Sequence, residues 1–367
     1  MIIKQIENYQ LINEIGRGSF GIVYKAINKT NKEVVAVKTL KDDINTQSET
    51  FIRFKKEAEL LSTLNQDNIL KFIKFIEQES KVFIISELIA GKTLKELIKE
   101  KSLTIDEKID IVTQLADALD YVHSQGIIHQ DIKPGNLMIS PGNKVKILDF
   151  GIAKLTNFQK MFSEANNVAG SFAYMSPEQG GILKRNIDNR ADLYSLGILF
   201  YELITGDLPY KSKDIGELLH QHIATKPEEP INITKNISPI INKIILKLIK
   251  KDPNDRYQTA FGLAEDLKLY QSLNDDQKRT FYLELGKKDR LKNLNYRTSF
   301  IGRSKEFQNL LNNLNNTILG KGFISAIIGK SGTGKTRLAL ELQNYTAAKN
   351  AFFIETISTL EDINKPF

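Results

Sequence analysis

Between Tyr9 and Ser86 apolar and polar residues alternate over short stretches, near 10–15, 21–27, 33–39, 70–77 and 81–86, and this period of two predicts strands. One stretch breaks the rhythm. From Glu49 to Leu64, Phe51, Phe54, Ala58, Leu61 and Leu64 recur at helical spacing, so one helix is expected against the strands. From Leu94 to Tyr270 the helical period takes over, with a short strand-rich insert around 127–149. A sheet with one helix followed by a helical lobe predicts an α+β fold in two lobes, about 9–86 and 90–270, with a cleft between them.

Residues 271–299 are polar, charged and weakly periodic and are expected as a linker with room for a helical extension. The character then changes. Phe323-Ile324-Ser325-Ala326-Ile327-Ile328 reads as a buried strand, a glycine-rich turn follows, and Thr336 to Gln343 reads as a helix. That order opens a parallel α/β domain over 300–367.

Composition narrows the classes. The 367 residues contain no cysteine, which excludes disulfides and thiolate metal sites and fits a reducing, cytoplasmic setting. The four histidines lack metal-ligand spacing, and His220-Gln221-His222 is expected on a solvated helix surface. The net charge is +7, but basic residues are interleaved with acidic ones, so no nucleic-acid partner is expected. The most apolar helix candidate, Ile237 to Ile249, is short and interrupted by Lys243 and Lys247, so no membrane span is expected.

The chemistry lies in four motifs. Gly16-x-Gly18-x-x-Gly21, bracketed by Ile15 and Val23, falls between two predicted strands rather than between a strand and a helix. That context suits a hairpin whose bare backbone closes over a triphosphate and excludes a dinucleotide fold. In Val35-Ala36-Val37-Lys38 a single cation ends an apolar strand and can reach the α and β phosphates. It needs an anionic partner. At about 100° per residue, Glu57 falls beside Phe54 and Leu61 whereas Glu59 points away, so Glu57 is assigned as the partner of Lys38.

His129-Gln130-Asp131-Ile132-Lys133-Pro134-Gly135-Asn136 and Asp149-Phe150-Gly151 complete the set. Asp131 is placed to accept the proton of an acceptor hydroxyl, Lys133 to neutralise the transferring phosphate, and Asn136 with Asp149 to hold Mg2+ on ATP.

From Tyr9 to Tyr270 the chain resembles the eukaryotic-type Ser/Thr protein kinases also found in bacteria. The resemblance implies protein substrates phosphorylated on Ser or Thr, self-phosphorylation included. It makes Gly170-Ser171-x-x-Tyr174-Met175-Ser176-Pro177-Glu178 the end of an activation segment, with Ser176 where Ala is usual. It pairs Glu178 with Arg256 and sets Asp192 against the catalytic loop. It gives Glu87, Ile89 and Met138 to the nucleotide site, with Ser86 at the rear of the adenine pocket. One departure matters: Gln130 stands where the family has arginine, so turnover is expected to be independent of phosphorylation at Thr156 or Ser163. The alternative is a pseudokinase or nucleotide-binding scaffold whose output depends on an NTPase switch. The intact set argues against it, since losing one electrostatic element typically costs ~3–4 kcal/mol of transition-state stabilisation.

Gly329-Lys330-Ser331-Gly332-Thr333-Gly334-Lys335-Thr336 fits a phosphate loop in which Lys335 reaches the phosphates and Thr336 offers a magnesium ligand. With Gly302-Arg303-x-x-Glu306 upstream, 300–367 resembles the leading part of an AAA- or STAND-type ATPase domain. It is expected to be incomplete, because no acidic strand for the metal follows.

Overall fold

The computed structural model describes residues 5–18, 21–41, 48–78, 81–150, 172–180, 187–235, 237–280, 282–289, 303–318 and 320–329, with scattered positions between 333 and 342. The chain divides into two units, Met1–Lys292 and Asn293–Phe367.

The first unit begins with β1 (Gln5–Ile6), β2 (Tyr9–Arg17), β3 (Gly21–Asn28) and β4 (Val34–Leu40), followed by α1 (Glu49–Thr63), β5 (Phe72–Gln78) and β6 (Lys81–Glu87). The strands form one antiparallel sheet in the order β1-β2-β3-β4-β6-β5. Alternation decides its two faces. Val35, Val37, Phe83 and Ile85 pack with Ile6, Ala26 and Ile76 on one side. On the other, α1 lays Phe54 and Ala58 over Val82 and Ile84. Ser48 starts α1 by accepting the N–H of Phe51 at 3.2 Å.

The second lobe opens with β7 (Lys92–Thr93), α2 (Leu94–Glu100) and α3 (Ile105–Ser124), whose N-termini are closed by the reciprocal caps Thr93/Glu96 and Thr104/Glu107. A 3-10 turn (Pro134–Asn136) leads into β8 (Leu137–Ser140) and β9 (Lys144–Ile147), which with β7 form a small sheet. The central pillar is α4 (Asn189–Thr205), apolar nearly all round and buried from Ala191 to Tyr201. Such a helix is stable only when enclosed. Enclosing it are α3, α5 (Ile215–Ala224), α6 (Pro230–Ile233), α7 (Pro239–Leu248) and α8 (Ala260–Ser272).

His222 does not lie on a solvated surface: it is 1% exposed, with Nδ1 2.9 Å from the Tyr194 hydroxyl, and burial together with nearby Lys251 pushes its pKa down to about 3. The signal was present. Ile215, Leu218, Leu219 and His222 are spaced i, i+3, i+4, i+7, so the histidine sits on the buried stripe of α5.

The segment expected as a linker with a helical extension begins with a helix and packed structure. After α9 (Asp275–Thr280), Leu283 and Leu285 pack on the core of the second lobe. Asp289 accepts the N–H groups of Gln258 and Thr259 at 2.7 and 2.9 Å and the Thr259 hydroxyl at 2.7 Å, at the start of α8. Gly262 makes room for it: a Cβ there would lie 2.5 Å from that of Asp289. Polarity hid this docking, because a carboxylate at a helix N-terminus anchors a segment without any apolar period.

The second unit shows α10 (Ser304–Ile318) and an irregular stretch over 321–329. The strand expected from Phe323 to Ile328 is not formed, and Ile324 and Ile328 are fully exposed. A strand exists only by pairing, and among the described residues of this unit no second strand offers a ladder. No described helix is long and apolar enough to cross a membrane.

Two outcomes follow from the second lobe. Asp289→Ala should destabilise the first unit by about 2 kcal/mol, since it removes a charged cap from two amides and a hydroxyl. Denaturant unfolding of parent and variant checks this, and an unchanged midpoint would contradict the docking. His222 stays neutral when folded down to about pH 3 but takes a proton near 6.5 when unfolded. Protons therefore favour the unfolded chain between those values, and this contribution to stability is lost as pH falls from 6.5 towards 3. The slope is at most about 1.4 kcal/mol per pH unit. His222→Gln should flatten it in unfolding measured from pH 7 to 4.

Candidate active site

Four strands of the sheet, β2, β3, β4 and β6, place the candidate residues in register. Gly16 pairs with Val23, Val23 with Lys38, Lys38 with Ile84, and Ala36 with Ser86. Side chains opposite one another share a face, so Val23, Ala36, Lys38 and Ser86 line one side of the sheet. Ser86 is 5% exposed, and Ile15 lies at a bulge between Glu14 and Gly16. The glycine hairpin closes through the Gly18 N–H, which donates to the Gly21 carbonyl at 2.9 Å. Gly21 admits no side chain: a Cβ would come within 2.7 Å of the Thr39 carbonyl oxygen.

At the end of the sheet, the Glu87 N–H donates to the Lys71 carbonyl at 3.0 Å. Its carboxylate accepts the Lys71 N–H and pairs with Lys146 at 2.6 Å. Lys146 lies opposite Met138 in the small sheet, which ties the connection after β6 to the floor carrying Met138. Ile89 follows in that connection, partly buried.

Lys38 lies between two acids. Its Nζ is 2.8 Å from Glu57 Oε1 on α1 and 2.8 Å from Asp149 Oδ1 beyond β9. Glu57 thus faces Lys38. Burial opposes the lysine's charge, but the two carboxylates outweigh it and its pKa is raised; burial likewise raises that of Glu57 against the pull of Lys38. Asp149 remains about half exposed.

The loop from Ile127 to Asn136 is shaped by Asp192, in the first turn of α4. Its buried carboxylate accepts the N–H groups of His129 and Gln130 at 2.8 and 2.7 Å and lies 2.8 Å from His123 Nε2. Gln130 is held at φ 64, a region costly for any residue with a side chain, which this double acceptance compensates. His129 is buried against Phe150, ring centres 4.6 Å apart, and burial lowers its pKa. As a neutral ring it accepts the Asp131 N–H through Nδ1 at 3.2 Å.

On that frame, Lys133 Nζ is 2.8 Å from Asp131 Oδ2. Asn136 Nδ2 donates to the same oxygen at 2.9 Å and to the Asp131 carbonyl at 3.0 Å. The Leu148 N–H reaches the Asn136 carbonyl at 2.9 Å, so the backbone sets Asn136 beside the strand end that carries Asp149. Asn136 and Asp149 offer hard oxygen donors, the type that suits magnesium, and the chain has no cysteine thiolate. Next to the loop, residues 172–180 are mostly buried. Glu178 meets Arg256 through two bonds of 2.7 and 2.9 Å, and Tyr174 donates to Glu202 at 2.5 Å. Gly151, Thr156, Ser163, Gly170 and Ser171 lie outside the described residues.

Of the phosphate-loop residues, Gly329, Gly334 and Lys335 are described and Thr336 is not. Lys335 Nζ donates to the Gly329 carbonyl at 2.9 Å, and Gly334 has φ +81. Sequence reasoning missed His123, which carried no spacing signal, and the Tyr174–Glu202 contact, which joins residues far apart in the chain.

Comparison with known proteins gives a consistent picture. The model of the protein kinase domain matches residues 9–267. The chain is 40% identical over 269 residues to a probable serine/threonine-protein kinase of Clostridium perfringens, covering 73% of this chain and 39% of that protein. It is 37% identical over 275 residues to another from Clostridium acetobutylicum, covering 74% and 41%. Against the serine/threonine-protein kinase PknB of Mycobacterium tuberculosis it is 32% identical over 267 residues, covering 71% and 42%. The chain therefore spans about two fifths of the length of these curated relatives.

Proposed function

The chain belongs to the protein kinase family, among its serine/threonine kinases, and we propose that it transfers the γ-phosphoryl group of ATP to Ser or Thr hydroxyls of proteins. The single observation that carries this reading is Lys38 held at 2.8 Å from both Glu57 and Asp149, next to a base already fixed by Lys133 and Asn136.

In this reading Val23, Ala36, Met138 and the carbonyl of Glu87 enclose the adenine, with Ile15 and Ile89 at its edge and Ser86 behind it. The backbone of Gly16 to Gly21 covers the phosphates and Lys38 neutralises the α and β groups. Asn136 and Asp149 would hold magnesium, which would supply charge neutralisation to the phosphates. Asp131 takes the proton from the acceptor hydroxyl as its oxygen bonds to the γ-phosphorus; the bond to the β–γ bridging oxygen breaks, and ADP leaves. Lys133 offsets the charge on the moving phosphoryl group. The family makes self-phosphorylation one of the reactions open to such a site.

To this domain the reading joins the leading part of a P-loop NTPase over 300–367. Its support is the motif from Gly329 to Thr336 and the contact of Lys335 with the Gly329 carbonyl.

Radiolabel transfer from Mg-ATP to a generic basic protein tests the proposal. The parent should label Ser or Thr. Asp131→Asn should lose at least about a hundredfold in kcat, the scale of general-base removal, and Asp149→Asn should lose as much through the metal. An inactive parent, or variants as active as the parent, would overturn it.

A further inference from the structure

In the buried segment 172–180 an uncharged side chain, Gln179, reaches the catalytic loop. Its Oε1 accepts both the N–H and the hydroxyl of Ser176, at 3.1 and 2.9 Å, which locks the amide in one orientation. The amide Nε2 is thereby turned outward and donates to the Gln130 carbonyl at 3.1 Å. The base of this arm is rigid. Adjacent Glu178 is fixed to Arg256 with both side chains almost wholly buried, and Ser176 is 1% exposed.

The Gln130 carbonyl belongs to the peptide unit whose other end is the N–H of Asp131. That unit is planar, so holding both ends fixes the plane. On one end Asp131 N–H is held by His129 Nδ1; on the other, Gln179 holds the carbonyl. The preceding N–H, that of Gln130, is held by Asp192. Gln130 itself sits at φ 64 and would relax if released.

We propose, resting on the kinase reading, that Gln179 is a positioning residue: its amide clamps the peptide plane ahead of Asp131 and sets the catalytic base against the substrate-binding segment. The clamp is neutral on both sides. It links segment and loop by hydrogen bonds alone, at a place where Gln130 supplies no charge to grip a phosphate.

The test separates the two arms of the amide. Gln179→Glu keeps the acceptor for Ser176 but turns a carboxylate oxygen towards the Gln130 carbonyl; Gln179→Lys keeps a donor for that carbonyl but abandons Ser176. Steady-state kinetics with a peptide acceptor should show kcat of Gln179→Glu down by about tenfold, the effect of about 1.4 kcal/mol. KM for ATP should move less than about twofold, because the nucleotide side is untouched. Gln179→Lys should retain a kcat at least about threefold above that of Gln179→Glu. A role confined to packing the segment through Ser176 would reverse that order, with Glu better than Lys, and would overturn the inference. So would an unchanged kcat in Gln179→Glu. An inactive parent would instead overturn the kinase reading on which the clamp rests.

Discussion

Everything in the cleft depends on one cation between two acids. Lys38 stands on the central strand, Glu57 on the helix that packs against the sheet, and Asp149 at the end of the second lobe's small sheet. Burial disfavours the charge of Lys38 and of Glu57, whereas Asp149 is about half exposed. Removing Lys38 would leave the enclosed Glu57 carboxylate without its compensating charge. The contact therefore ties α1, the exit of β9 and β4 together.

A second constraint mirrors it in the other lobe. Asp192, enclosed in α4, collects two backbone amides and lies beside a histidine, and this allows Gln130 to adopt a conformation it would otherwise avoid. The catalytic loop is thus not shaped by its own sequence preferences. It is imposed by a buried carboxylate more than sixty residues later in the chain, held in turn by an apolar helix that only the surrounding lobe stabilises. Arg256, bonded to Glu178 and to the carbonyls of Lys250 and Lys251, extends the same logic to the buried segment 172–180.

What the sequence made legible follows from where its signals are strong. Alternation placed β2 to β6, and helical geometry alone distinguished Glu57 from Glu59 as the residue facing Lys38. What it hid was carried by polar groups acting as structure. His222 lies on an apolar stripe but its type suggested solvent, and Asp289 docks the segment after α9 through hydrogen bonds that leave no period. The run Phe323 to Ile328 shows the opposite failure: apolar residues announce a strand, yet a strand requires a partner that a local pattern cannot reveal.

The contacts that join Lys38 to Glu57 and Asp149, and Asp131 to Lys133 and Asn136, involve no phosphate group. The most direct test is the first minutes of peptide phosphorylation by protein shown by intact-mass measurement to carry no phosphate. The account expects product to accumulate linearly from the first turnover. A lag that disappears when the same protein is first incubated with Mg-ATP would contradict it.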